Sequence, residues 1–142
     1  MYKHILIATD GSELAGKAVA AGLALAKLLD AKVTALTAIE PWLSIATSDT
    51  AAAFMEYQKA AEQDATRILG EVSMAAREYG VQCETITMTE TAAEAIIEAA
   101  KSKQCDLIVM SSHGRRGLAR LLLGSQAMRV LTSSSVPVLI CR

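Results

Sequence analysis

Residues 4–12 read His4-Ile5-Leu6-Ile7-Ala8-Thr9-Asp10-Gly11-Ser12. The run from His4 to Thr9 is too short for an isolated helix and is nearly continuously apolar. That suits a strand buried on both faces of a parallel sheet. Asp10-Gly11-Ser12 then reads as a turn into a helix, with Ser12 as the N-cap. Leu14, Ala18, Ala21, Leu25 and Leu28 follow at helical spacing and are assigned to its inner stripe.

The same unit recurs down the chain. Residues 33–39 form a second apolar run, and residues 40–50 read as a loop containing Pro41 and Trp42. Trp42 is assigned to cover the core or a dimer contact rather than a ligand. A long helical pattern starts near residue 50, with Phe54, Ala61, Ala65, Ile68, Val72, Ala75 and Tyr79 on one stripe and Gly80 as its stop. Residues 81–89 alternate weakly, as an edge strand does. Thr91-Ala92-Ala93-Glu94 matches a capping box, opening a helix to about Ser102. Residues 106–110 make a fourth strand, residues 124–132 a helix and residues 136–141 a fifth strand. Alternation of this kind predicts an α/β fold, with an open, doubly wound parallel sheet of five strands and helices on both faces. Residues 1–142 carry no repeat, linker or low-complexity tract and are read as one domain. Pro137 places the last strand at a sheet edge. Its apolar, exposed rim predicts a homodimer through Val136, Val138 and Ile140.

Composition narrows the function. Fourteen Lys and Arg against fifteen Asp and Glu give a net charge of −1, which disfavours a nucleic-acid surface. Cys83, Cys105 and Cys141 are odd in number and form no CxxC, so they read as small buried hydrophobes of a reducing compartment. The run Ile5 to Ala8 is stopped by Asp10, short of a signal-peptide core, and no apolar stretch reaches the ~20 residues of a membrane span. The cytoplasm is the expected location.

In open parallel sheets, ligands bind beyond the carboxyl ends of the strands. The loops at Asp10, Ile39-Glu40 and Ser111 would meet there. The loop after the fourth strand carries Gly114, Gly117 and Gly124, and Gly124-Ser125 opens a helix whose free N–H groups attract an anion. No acidic residue follows Asp106, whereas Arg115, Arg116, Arg120, Arg129 and Arg142 all do. That pattern fits a phosphate site. A tight connection with solvated arginines is the alternative.

The chain resembles the universal stress protein family along essentially its whole length. The motifs are residues 4–12, Asp106-Leu107-Ile108-Val109-Met110, the loop Ser112-His113-Gly114-Arg115-Arg116-Gly117-Leu118 and Ser135-Val136-Pro137-Val138-Leu139. The fingerprint of its ATP-binding branch is Gly-x2-Gly-x9-Gly-Ser/Thr. Gly114, nine residues, Gly124 and Ser125 match its second half, and Ser111 takes the first glycine's place. A serine would be strained if that position needs φ > 0. Its hydroxyl can instead bond a phosphate or ribose.

The resemblance implies the strand order 3-2-1-4-5 and a pocket for ATP or another adenine nucleotide, with Mg²⁺ near Asp10 by way of the phosphates. It implies nucleotide contacts from Ala8, Thr9 and Asp10, and an adenine site at Ala38 and Ile39. Met110, Ser111 and His113 would flank the pocket. Gly114, Gly124, Ser125 and Gln126 would cradle the phosphates, with added charge from Arg115 and Arg116. For Asp10 the residues alone equally suggest a turn former, and for His113 a loop brace.

Enzymatic motifs are sparse. There is no Walker Gly-x4-Gly-Lys-Ser/Thr and no Gly-x-Ser-x-Gly. His4 and His113 are the only histidines; no Cys or carboxylate cluster stands at metal-ligand spacing beside them, and His4 reads as an exposed or edge residue. The expectation is a regulatory module of the stress response that binds ATP, with weak hydrolysis at most. The alternatives are a slow Mg-dependent ATPase and a nucleotide-free interaction protein.

Overall fold

The computed structural model describes residues 1–42, 51–115 and 122–142. Arg116, Gly117, Arg120 and positions 43–50 of the loop assigned to residues 40–50 therefore lie outside the described residues. The chain runs β1 (His4–Ala8), α1 (Glu13–Leu29), β2 (Lys32–Ala38), α2 (Ala51–Tyr79) and β3 (Cys83–Met88). It continues as α3 (Ala92–Ser102), β4 (Leu107–Ser111), α4 (Ser125–Ser133) and β5 (Val138–Cys141). The strands pair in parallel in the order β3-β2-β1-β4-β5, as expected.

Alternate side chains of each inner strand serve opposite faces. Ile5, Ile7, Val33, Ala35, Leu107 and Val109 pack under α1 and α2. Leu6, Leu36, Ile108 and Met110 pack under α3 and α4. Both faces being covered explains why these strands read as unbroken apolar runs. Truncating Leu6 or Ile108, neither of which is exposed, to Ala costs about 2–5 kcal/mol.

Local signals set most boundaries. Ser12 caps α1 by accepting from the Ala15 N–H at 3.2 Å. Thr91 accepts from the Glu94 N–H at 3.5 Å, while the Glu94 carboxylate lies 3.7 Å from Arg129. Gly80 ends α2 with φ +72°. The last strand begins at Val138 rather than residue 136. Pro137 has no N–H to give, and it contributes only its carbonyl, which accepts from the Ile108 N–H at 2.9 Å. β4 starts one residue later than expected because the Asp106 carboxylate turns back to accept from the N–H groups of Lys3 and His4.

Three expectations need correction. The inner stripe of α1 is Ala15, Ala18, Val19, Gly22, Leu23 and Ala26, and Leu28 is 83% exposed. The helix is apolar nearly all round, and its flat, small-residue face fits closest to the sheet. On α2, Phe54 is exposed. His4 is buried, with its Nε2 2.7 Å from the Thr34 hydroxyl.

Candidate functional site

Strand order reverses at β1, whose neighbours β2 and β4 lead to opposite halves of the sheet. A cavity of about 630 Å³ opens beyond the carboxyl ends of these strands, well within the size range of small-molecule sites.

The β1–α1 turn forms one wall. Thr9 is buried, and its hydroxyl oxygen accepts from the Gly11 N–H at 3.2 Å. Gly11 has φ +80°, and a Cβ there would stand 2.7 Å from Ile68 Cγ1 of α2. Glycine is thus required twice, for the turn and for the approach of α2. The Asp10 carboxylate accepts from the Ser12 N–H at 2.9 Å and from the Arg115 N–H at 2.8 Å. It therefore ties the β1 and β4 loops together.

The β4–α4 loop forms the second wall. Ser111 ends β4 opposite Cys141, and it is not among the described residues with positive φ, which besides glycines are Asp30 and Gln104. The serine carries no backbone strain, and its hydroxyl donates to the His113 carbonyl at 2.9 Å. A Cβ on Gly114 would lie 2.9 Å from Asp10 Oδ2, and one on Gly124 3.0 Å from the Ser112 carbonyl. Both glycines permit close packing of the loop on its own framework. The Gly124 N–H donates to the Ser112 carbonyl at 2.7 Å, so it is spent inside the protein. Among the described residues no side chain caps α4, whose first turn begins at Ser125 and carries no acidic residue, so its open donors belong one step further on. The Gln126 side-chain oxygen accepts from the Ala93 N–H at 2.8 Å and joins α4 to α3. His113 Nδ1 is 3.0 Å from the Ser112 hydroxyl, and its Nε2 is buried with no hydrogen-bond partner among the described residues.

Ala8, Thr9, Asp10, Ala38 and Ile39 all line this one cavity, from β1, β2 and the residues that follow them. Met110, Ser111, His113, Gly114 and Arg115 line it from β4 and its loop, and Gly124, Ser125 and Gln126 from the start of α4. Of the site residues expected from the sequence, Arg116 alone is outside the described residues.

Sequence reasoning missed the third wall, made by Tyr57, Ala61, Asp64 and Ile68 of α2. The Tyr57 hydroxyl donates to the Glu40 carbonyl at 2.8 Å, and its ring stands 4.9 Å from that of Trp42. Trp42 also meets Phe54 edge-on at 6.4 Å, so it belongs to an aromatic group beside the cavity. Asp64 bonds Arg67 at 2.7 Å and Arg115 at 3.1 Å. The Arg67 hydrogen bond, with Arg115 adding to it against some loss of solvation, holds the Asp64 carboxyl below the usual carboxylate range. One signal was available in the sequence: Asp64 interrupts the apolar stripe Ala61, Ala65, Ile68.

The universal stress protein family model matches residues 1–142. A universal stress protein of Methanocaldococcus jannaschii is 35% identical over 144 residues, spanning 100% of this chain and 83% of that one. The solved structure of MJ0577, a universal stress protein of the same organism, aligns with a TM-score of 0.86 at 28% identity, covering 99% of this chain and 96% of that one. A universal stress protein solved in complex with cAMP aligns with a TM-score of 0.76 at 28% identity, covering 99% and 97%. A match from the first residue to the last, on the same sheet, means that the chain belongs to the universal stress protein family.

Proposed function

We propose that the protein binds an adenine nucleotide, ATP foremost, in this cavity and acts as a nucleotide-dependent regulatory module of the stress response, as a homodimer in the cytoplasm. The observation that carries the reading is the first turn of α4, uncapped among the described residues, on the same cavity as Thr9, Asp10 and Gly114. Free N–H groups and the positive end of a helix favour a phosphate there. In this reading the phosphates bind the Ser125 hydroxyl and the first-turn N–H groups from Ser125 onward. His113 Nε2, buried and without a hydrogen-bond partner among the described residues, supports a polar ligand in the cavity. Ala8, Thr9 and Asp10 border the ribose, and Ala38 and Ile39 the adenine. The related protein solved with cAMP supports the same ligand class.

Among the described residues no three His, Cys, Asp or Glu side chains come together to hold a metal. A single carboxylate such as Asp10 suits Mg²⁺ that keeps its waters and binds chiefly to phosphate oxygens.

Three or four donors to a charged phosphate, each contributing about 1.5–3 kcal/mol, stand against an association cost of about 4–15 kcal/mol. With adenine burial added, a site near 1 μM, about −8 kcal/mol, is expected. Calorimetric titration of nucleotide-stripped protein with Mg-ATP should give one saturable site per chain. Gly124→Val should abolish it, because the added carbons press on the Ser112 carbonyl and push the loop off α4. The same variant should keep the dimer. No heat and no thermal shift from the unaltered protein at millimolar ATP would sink the reading.

A further inference from the structure

Asp64 shares a face of α2 with Ala61, Ala65 and Ile68, and all four line the cavity. Both of its oxygens are engaged: Oδ1 lies 2.7 Å from Arg67 Nη2, and Oδ2 lies 3.1 Å from Arg115 Nη1. Arg115 is held at both ends in turn. Its main-chain N–H donates to Asp10 Oδ2 at 2.8 Å, and its Nη2 stands 3.1 Å from the position a Cβ on Gly11 would take. The side chain therefore crosses the β1–α1 turn and ends on α2. Among the described residues lining the cavity, Asp10, Glu40 and Asp64 are acidic and Arg115 is the one Lys or Arg. This cation, the one among the described residues that lines the cavity, is already paired with a carboxylate.

We propose that Asp64 sets how strongly the pocket favours polyphosphates over less charged adenine ligands, by holding Arg115. The proposal rests on the adenine-nucleotide reading above. An entering phosphate chain competes with Asp64 for the guanidinium. Adenosine, which carries no phosphate, does not. Asp64 is a positioning residue here, acting on the ligand through Arg115. Both side chains are partly exposed, at 50% for Arg115 and 38% for Asp64, so solvent limits the effect to a modest factor.

The test is titration of the unaltered protein, Asp64→Asn, Arg115→Gln and the double variant with ATP, AMP and adenosine, without divalent cations. Asp64→Asn should tighten ATP about three- to tenfold, AMP less, and leave adenosine unchanged. The gain should shrink as salt is raised. It should vanish in the Arg115→Gln background. A merely structural role would move all three ligands together, along with the melting temperature. An equal change for ATP and adenosine, or a gain that survives loss of Arg115, overturns the proposal. If the unaltered protein binds none of the three, the nucleotide reading falls and the proposal with it. If it binds and the ratio does not move, only the role of Asp64 falls.

Discussion

His4 has one hydroxyl neighbour that fixes its proton. Thr34 donates its only hydroxyl hydrogen to Glu84 Oε1 at 2.9 Å, so the imidazole must donate to Thr34 from Nε2. Burial, and then Lys32, lower the His4 pKa below its ordinary 6.5, while Glu84, the Lys103 backbone and Asp106 pull the other way. Between the lowered value and 6.5 the unfolded chain holds more protons than the folded one. This contribution to stability is therefore complete above 6.5 and is lost as pH falls through the folded value. The urea midpoint should drop from about pH 7 to about pH 5, and His4→Gln should flatten that slope. Identical slopes in the two proteins would refute the assignment. The Glu84 carboxyl is itself held low, first by the Thr34 hydroxyl, so its loss comes only below 4.5. At the same scale, the sequence misread His4 because a histidine at a strand start is unremarkable. Its burial depends on Thr34, thirty residues away.

At the scale of the element, α1 and α2 differ in how plainly their inner faces can be read. α2 has a clear polar side, and Ala65, Ile68 and Val72 are buried as the periodicity predicts. α1 is apolar nearly all round, and leucines proved poor guides to its contact face. Gly22 decides it, since a Cβ there would lie 2.6 Å from Ile7 Cδ1 and 2.8 Å from Ile7 Cγ1. Gly16 has nothing within 4 Å of the same position. Gly16→Ala should therefore stabilise the protein by about 0.5–1 kcal/mol through helix propensity. Gly22→Val should destabilise it by about 1–3 kcal/mol through overpacking. Urea midpoints of the two variants check both signs, and a Gly22→Val protein as stable as its parent would show that the helix can lift off the sheet freely.

At the scale of the whole molecule, the sheet ends in two open edges, β3 and β5. β3 is largely polar and exposed. β5 is apolar, yet Val136, Val138 and Ile140, the side chains first assigned to a dimer contact, are partly buried against their own core on the α3–α4 side. The exposed residue of β5 is Leu139, at 41%. If two copies join here, Leu139→Lys should shift the mass measured by light scattering from dimer towards monomer, as a charge on an edge strand opposes pairing. A monomeric parent protein, or a variant that stays fully dimeric, would remove this edge from consideration.

The sequence by itself determined the strands, the caps and the loop residues that line the cavity. Apolar runs, Ser12, Thr91 and Gly80 act within a few residues of themselves, so short-range chemistry carries that information. It also marked Asp10, Ser111, Gly114 and Ser125 as meeting beyond the strand ends, because parallel connectivity sends those loops to one side. Only the tertiary structure decided which donors stay open at α4, since the Gly124 N–H is claimed by Ser112 and the Gln126 side chain by Ala93. It alone also brought Asp64 to Arg115. That pairing depends on where a 29-residue helix lies across the sheet, and the packing of Gly11 against Ile68 sets its position.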